Sequence, residues 1–168
     1  TFVASLKSHS SILEIRNIAD EIKQRGHQYH CRQIRLEAIA AEPPINIALE
    51  VEQAAMIYYS LLIHCENNVP LQLEERFVNP LLANDYLAQD FSVMTPHEYL
   101  SKTAPLTEAQ HTIEAVSPDV QQCQHLEMTQ SDPCLLITRR TWSDQGVVSF
   151  ARLTCPGSRY RLDSHLTF

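Results

Sequence analysis

The stretch from Tyr58 to Val78 constrains the fold more than any other part of the chain. Tyr58-Tyr-Ser-Leu-Leu-Ile-His-Cys65 is rich in aromatic and aliphatic residues that favour strands. Glu66-Asn67-Asn68 supplies turn chemistry, because Asn tolerates positive φ, and Val69 to Val78 leads back. The segment therefore reads as an antiparallel hairpin. Strand side chains alternate between faces, so the register decides which residues act together. A three-residue loop at 66–68 sets Cys65 opposite Val69. Tyr59, Leu61 and Ile63 then share an apolar side with Leu71, Leu73 and Phe77, while Tyr58, Ser60, Leu62, His64, Gln72, Glu74 and Arg76 gather on the other. A two-residue loop would mix the two sets, so the three-residue loop is the expectation.

The second face brings an imidazole, a carboxylate, a guanidinium and a hydroxyl together around Leu62. It has two readings. One is an ordinary solvated sheet face. The other is the floor of a pocket for a small polar or anionic molecule, with Arg76 clamping a carboxylate and Glu74 or His64 meeting a donor.

Around this hairpin the chain alternates short helices and strands. Ser11-Ile-Leu-Glu14 has the form of a capping box, and Ile12, Ile15, Ile18 or Ala19, and Ile22 follow at helical spacing, giving a helix over about 11–25 that stops at Gly26. His30 to Ala41 changes to period two and reads as a half-buried strand. Pro43-Pro44 breaks it, with a short helix over 45–52. Leu81 to Phe91 is a loop with a helical turn near Asp85. Thr95-Pro-His-Glu98 opens a helix with Thr95 as N-cap, and its free amides offer an anion site. Residues 107–116 form a strand and Asp119 caps a helix to Leu126. A second hairpin spans 134–142 and 147–155, and a last strand runs from Tyr160 to Phe168. About six strands in hairpins with three or four short helices argue for an α+β domain on a single antiparallel sheet.

Composition excludes several functions. The net charge is −7 and basic residues do not cluster, which disfavours direct DNA binding by these 168 residues. No apolar run approaches the ~18 residues of a membrane span, so no membrane partner is expected. Five scattered cysteines without a C-x-x-C pair suit reduced thiols in a cytoplasmic protein. His27-x-x-His30 lacks a nearby third ligand and reads as surface histidines. Nucleotide, zinc-hydrolase and serine-hydrolase motifs are missing, so neither a cofactor nor a metal is expected.

Five segments then carry a resemblance. Leu13-Glu-Ile-Arg-Asn-Ile-Ala-Asp20, His64-Cys-Glu-Asn-Asn-Val-Pro70, Leu73-Glu-Glu-Arg-Phe-Val-Asn-Pro80, Thr95-Pro-His-Glu-Tyr-Leu100 and Pro156-Gly-Ser-Arg-Tyr-Arg-Leu162 resemble the histidine-utilisation repressors, the HutC type of the GntR regulators. The chain is similar to their C-terminal effector-binding (UTRA) domain, with a chorismate lyase-like fold; the N-terminal winged-helix domain is expected to precede Thr1. The resemblance implies a homodimeric cytoplasmic repressor of histidine-degradation genes that urocanate releases from operator DNA. It also implies a site: Arg76 for the carboxylate, Leu62 for the flat middle of the ligand, and His64 or Glu74 for its imidazole. Sugar-phosphate-binding relatives use two basic residues where this chain has Leu62 and His64, and an acidic residue where it has Ser149. Both departures argue against a sugar phosphate. Their hydroxyl and aromatic residue at a helix start correspond to Thr95 and His97. An alternative is a chorismate lyase-like enzyme on the same fold, and another is a dimerisation module with a vestigial pocket.

Overall fold

The computed structural model describes residues 8–11 and 15–168, with side chains from Ile15 onward. Strand β1 (Ser8–Ser11) is followed by helix α1 (Ile18–Gln24), β2 (Tyr29–Ala40), α2 (Ile45–Leu49), β3 (Met56–Glu66) and β4 (Val69–Val78). A single 3-10 turn at Tyr86–Ala88 leads to α3 (Pro96–Thr103), β5 (Glu108–Val116), α4 (Val120–Leu126), β6 (Cys134–Ser143), β7 (Gly146–Pro156) and β8 (Tyr160–Asp163). Six strands form one antiparallel sheet in the order β2-β3-β4-β7-β6-β5. The expected α+β class holds.

The hairpin of β3 and β4 sits at the centre of this sheet, but its turn differs from expectation. The loop has two residues, Asn67 and Asn68, both with positive φ (50° and 65°). Glu66 pairs with Val69 and Cys65 with Pro70. A bulge then intervenes, and His64 pairs with Gln72. That extra residue restores the parity that a plain two-residue loop would destroy. Ser60 faces Arg76 and Leu62 faces Glu74 as a result. Leu71, expected beside Ile63 and Leu73, instead packs with Ile22, Leu153 and Tyr160.

Both sheet faces are covered. On one side α2 and α4 bury Ile57, Tyr59, Phe77 and Val147, and Ile63, Leu73 and Leu126. On the other, α1 and α3 lie over β3, β4, β7 and β6, with Leu62, Val78, Tyr86, Phe91 and Tyr99 in one cluster. Burying such side chains is worth about 1.5–3 kcal/mol each, which holds the helices down.

The two ends of the chain depart most from expectation. Helix α1 begins at Ile18, where the Asn17 side chain accepts from the Ala19 amide, and Ser11 is a strand residue paired with Asp163. Residues 12–14, including Glu14 of the expected capping box, lie outside the described residues. Strand β8 ends at Asp163 and joins β1 in a separate two-stranded parallel sheet. The other caps match the reading: Thr95 accepts from the Glu98 amide, and Asp119 forms a capping box with Gln122.

Candidate functional site

Helices α1 and α3 meet over the sheet, and beneath their junction lies a network of charged groups. Strand alternation turns Ser60, Leu62 and His64 of β3, and Gln72, Glu74 and Arg76 of β4, toward these helices. Their neighbours by register are Ser149, Ala151 and Leu153 of β7 and Ile137, Arg139 and Thr141 of β6.

Arg76 Nε donates to Glu74 Oε2 at 2.8 Å, and a terminal nitrogen donates to Ser149 Oγ at 3.3 Å. The other Glu74 oxygen lies 2.9 Å from His64 Nε2, and His64 Nδ1 lies 2.7 Å from the Tyr29 hydroxyl. Ser149 Oγ also meets Thr141 Oγ1 at 2.7 Å. Burial works against the charge on Glu74, yet Arg76 and His64 outweigh it and hold the carboxyl well below the usual carboxylate range. Burial also opposes a charged His64, but Cys31 and Glu74 prevail and raise its pKa to about 9. The imidazole is therefore a cation at neutral pH, and both ring nitrogens donate. Glu74 thus lies between two buried cations, an arrangement that is costly to break.

Beside this network is a two-lobed crevice. Arg76, His97 and Arg139 border both lobes. One lobe is largely apolar, walled by Ile15, Leu100, Ala104, Leu106 and Val148, with Ser149 and Thr141 on its floor. The other is polar, with Arg16, Asn17, Glu21, Gln72, Glu74, Thr95 and Tyr160 around it. Each has a cavity volume of about 20 Å³, room for about one water, so the crevice is nearly shut. It is closed from above where Thr95 Oγ1 donates to Asn17 Oδ1 at 3.0 Å, joining the starts of α3 and α1.

The electrostatics favour an anion. Burial, then the positive charges of Arg76 and Arg139, push His97 down to about 4, so its ring is neutral at pH 7. Burial and Arg76 also pull Arg139 down to about 10, which leaves it charged. Arg139 Nε donates to the His111 ring at 3.0 Å, and among the described residues it forms no ion pair. Among the described residues no group of His, Cys, Asp and Glu is placed to hold a metal ion.

Of the residues singled out in the sequence, Glu74, Arg76, Thr95, His97 and Ser149 border the crevice. Leu62 and His64 do not. Leu62 is packed between Tyr86, Phe91 and Val148, and His64 lies fully buried behind Glu74. Sequence reasoning missed Arg139, Thr141, Glu21 and Tyr160. A signal for Arg139 was present: adjacent arginines on a strand must face opposite sides. Arg140 takes the α2 side, where it donates to the Ala48 carbonyl at 2.7 Å and pairs with Glu50 at 2.9 Å.

Known proteins can be set beside this geometry. The family model described as UTRA domain matches residues 24–161. The histidine utilization repressor of Pseudomonas putida is 47% identical over 167 residues, covering 99% of this chain and 67% of that protein. That of Klebsiella aerogenes is 49% identical over 162 residues, covering 96% and 67%. This chain is a UTRA domain of the histidine utilization repressor family. The UTRA fold agrees with solved structures. The C-terminal domain of the repressor from Pseudomonas syringae pv. tomato str. DC3000 superposes with a TM-score of 0.81 at 43% identity, covering 84% of this chain and all of that one. The effector domain of PhnF from Mycobacterium smegmatis gives 0.86 at 15% identity, covering 95% and 99%, which speaks for the fold alone. These relatives are repressors, so this UTRA domain is regulatory rather than enzymatic. None of its described helices is long and apolar enough to cross a membrane.

Proposed function

We propose that this domain senses urocanate, or a closely related imidazole carboxylate, for a cytoplasmic repressor of histidine-degradation genes. The operator is gripped by an N-terminal winged-helix domain outside these residues, and the working unit is a homodimer. Ligand in the crevice shifts the balance between two arrangements of the subunits and so releases DNA. The observation that carries this reading is the meeting of the Arg76 and Arg139 guanidiniums with a neutral imidazole at the junction of both lobes. The guanidiniums suit a carboxylate, and neutral His97 has a ring nitrogen free of a proton to accept an imidazole N–H. Relatives named for histidine utilization make an imidazole acid the natural candidate. The nearly shut crevice must open to admit a ligand of this size, which parts the Thr95–Asn17 contact between the starts of α3 and α1.

Calorimetric titration of urocanate into this chain tests the proposal. Saturable binding at one site per chain is expected. An absence of heat at millimolar urocanate would contradict it.

A further inference from the structure

Arg76 and Arg139 both reach the junction of the two lobes, but they are not equivalent. Arg76 is already committed, its guanidinium held by Glu74 and Ser149. Among the described residues Arg139 has one hydrogen-bond partner, the His111 ring, and no carboxylate within ion-pair distance. Glu74 and Glu21 act on Arg139 only from beyond ion-pair distance, and a cation that lines a buried cavity without a direct ion pair is the group an incoming anion satisfies most fully. Removing Arg76 from Glu74 to greet a ligand would instead leave Glu74 facing His64 alone, at a cost in buried charge.

Resting on the effector reading above, we infer that Arg139 is the direct carboxylate ligand of this site, and that Arg76 is a positioning residue. In this arrangement Arg76 fixes Glu74 and Ser149 and adds positive potential. Arg139 closes on the carboxylate at the lobe junction. The imidazole then extends into the polar lobe, where Gln72, Thr95 and Tyr160 offer hydrogen-bond partners. The same assignment predicts a preference for acids over neutral imidazoles, because a carboxylate supplies the direct ion pair that Arg139 lacks.

The experiment compares wild type with Arg139→Gln and Arg139→Lys, titrating urocanate, vinylimidazole (which lacks the carboxylate), and saturated and shortened imidazole acids. Arg139→Gln should weaken urocanate by about 10- to 100-fold, the worth of a charge-assisted hydrogen bond. It should leave the weak binding of vinylimidazole unchanged. Arg139→Lys should recover part of the loss, since it restores charge without the planar fork. In the unaltered chain, saturating urocanate should protect Arg139 from phenylglyoxal, read by mass spectrometry; this arm stands even where a variant fails to fold. Unchanged urocanate affinity in Arg139→Gln, or unprotected Arg139, overturns the assignment while the effector reading stands. Loss of binding in Arg139→Gln for another imidazole acid, with urocanate inert, supports the assignment and removes urocanate. No binding by any acid in the series overturns both.

Discussion

Glu74 is the residue on which most of the buried chemistry turns. It faces Arg76 at 2.8 Å and His64 at 2.9 Å, and all three side chains are almost fully shielded from water. Glu74→Ala removes the one anion between two cations, so a loss of about 3–5 kcal/mol is expected in urea unfolding. The pH dependence follows from the same groups. His64 has its pKa raised to about 9, so its contribution is complete below the ordinary value near 6.5 and is lost as pH rises through about 9. His97 is lowered to about 4, so its contribution is complete above about 6.5 and lost as pH falls toward 4. Glu74, lowered further still, adds to the acid loss. Urea midpoints from pH 4 to 10 should therefore peak near neutrality. In His64→Gln the alkaline fall should flatten; an unchanged alkaline limb would remove His64 as its cause.

At the scale of elements, the central hairpin shows what a sequence can disclose. Alternation and the Asn67-Asn68 bend place Ser60, Glu74 and Arg76 on one face, and the structure keeps them there. The bulge that makes this possible with a two-residue loop left no mark, because bulges arise from how the strand must twist against its neighbours. Leu71 shows the consequence: its identity suits either side of the sheet, and the bulge sends it to the cluster with Ile22. Thr95 and Asp119 were legible as caps because capping is local chemistry. Asn17 was not, since a strong capping pattern at Ser11 and Glu14 outranked it, while Ser11 pairs with β8 from across the sequence. Arg139 was hidden for a related reason. Its role depends on the second hairpin lying against β4, a long-range pairing that no nearby residue announces. The turn itself offers a test. Asn68 has a φ of 65°, so Asn68→Gly should stabilise the chain by about 0.5–1 kcal/mol in thermal unfolding, whereas Asn68→Val should destabilise it.

For the whole molecule, sensing requires that ligand and operator act on one equilibrium. Reciprocity then demands that operator DNA weaken urocanate binding by the factor through which urocanate weakens operator binding. In the intact repressor, Arg139→Gln should raise the urocanate concentration needed for release, with dimer mass by sedimentation unchanged. Release at the wild-type concentration would detach the crevice from induction. The chain's net charge of −7 fits this division of labour, leaving DNA contact to the winged-helix domain proposed above. Two larger grooves also offer room among the described residues: one of about 460 Å³ on the opposite sheet face, near Arg35, Tyr59, Glu75 and Arg152, and one of about 470 Å³ beside Lys23, Tyr29 and His30. A crystal structure of this chain grown with saturating urocanate therefore discriminates most directly. The expected result is ligand density between α1, α3 and the sheet, with the carboxylate on Arg139 and His97 within hydrogen-bond reach. Density in the Tyr59 groove, or a crevice still shut around Arg76 and Arg139 at saturation, would contradict it.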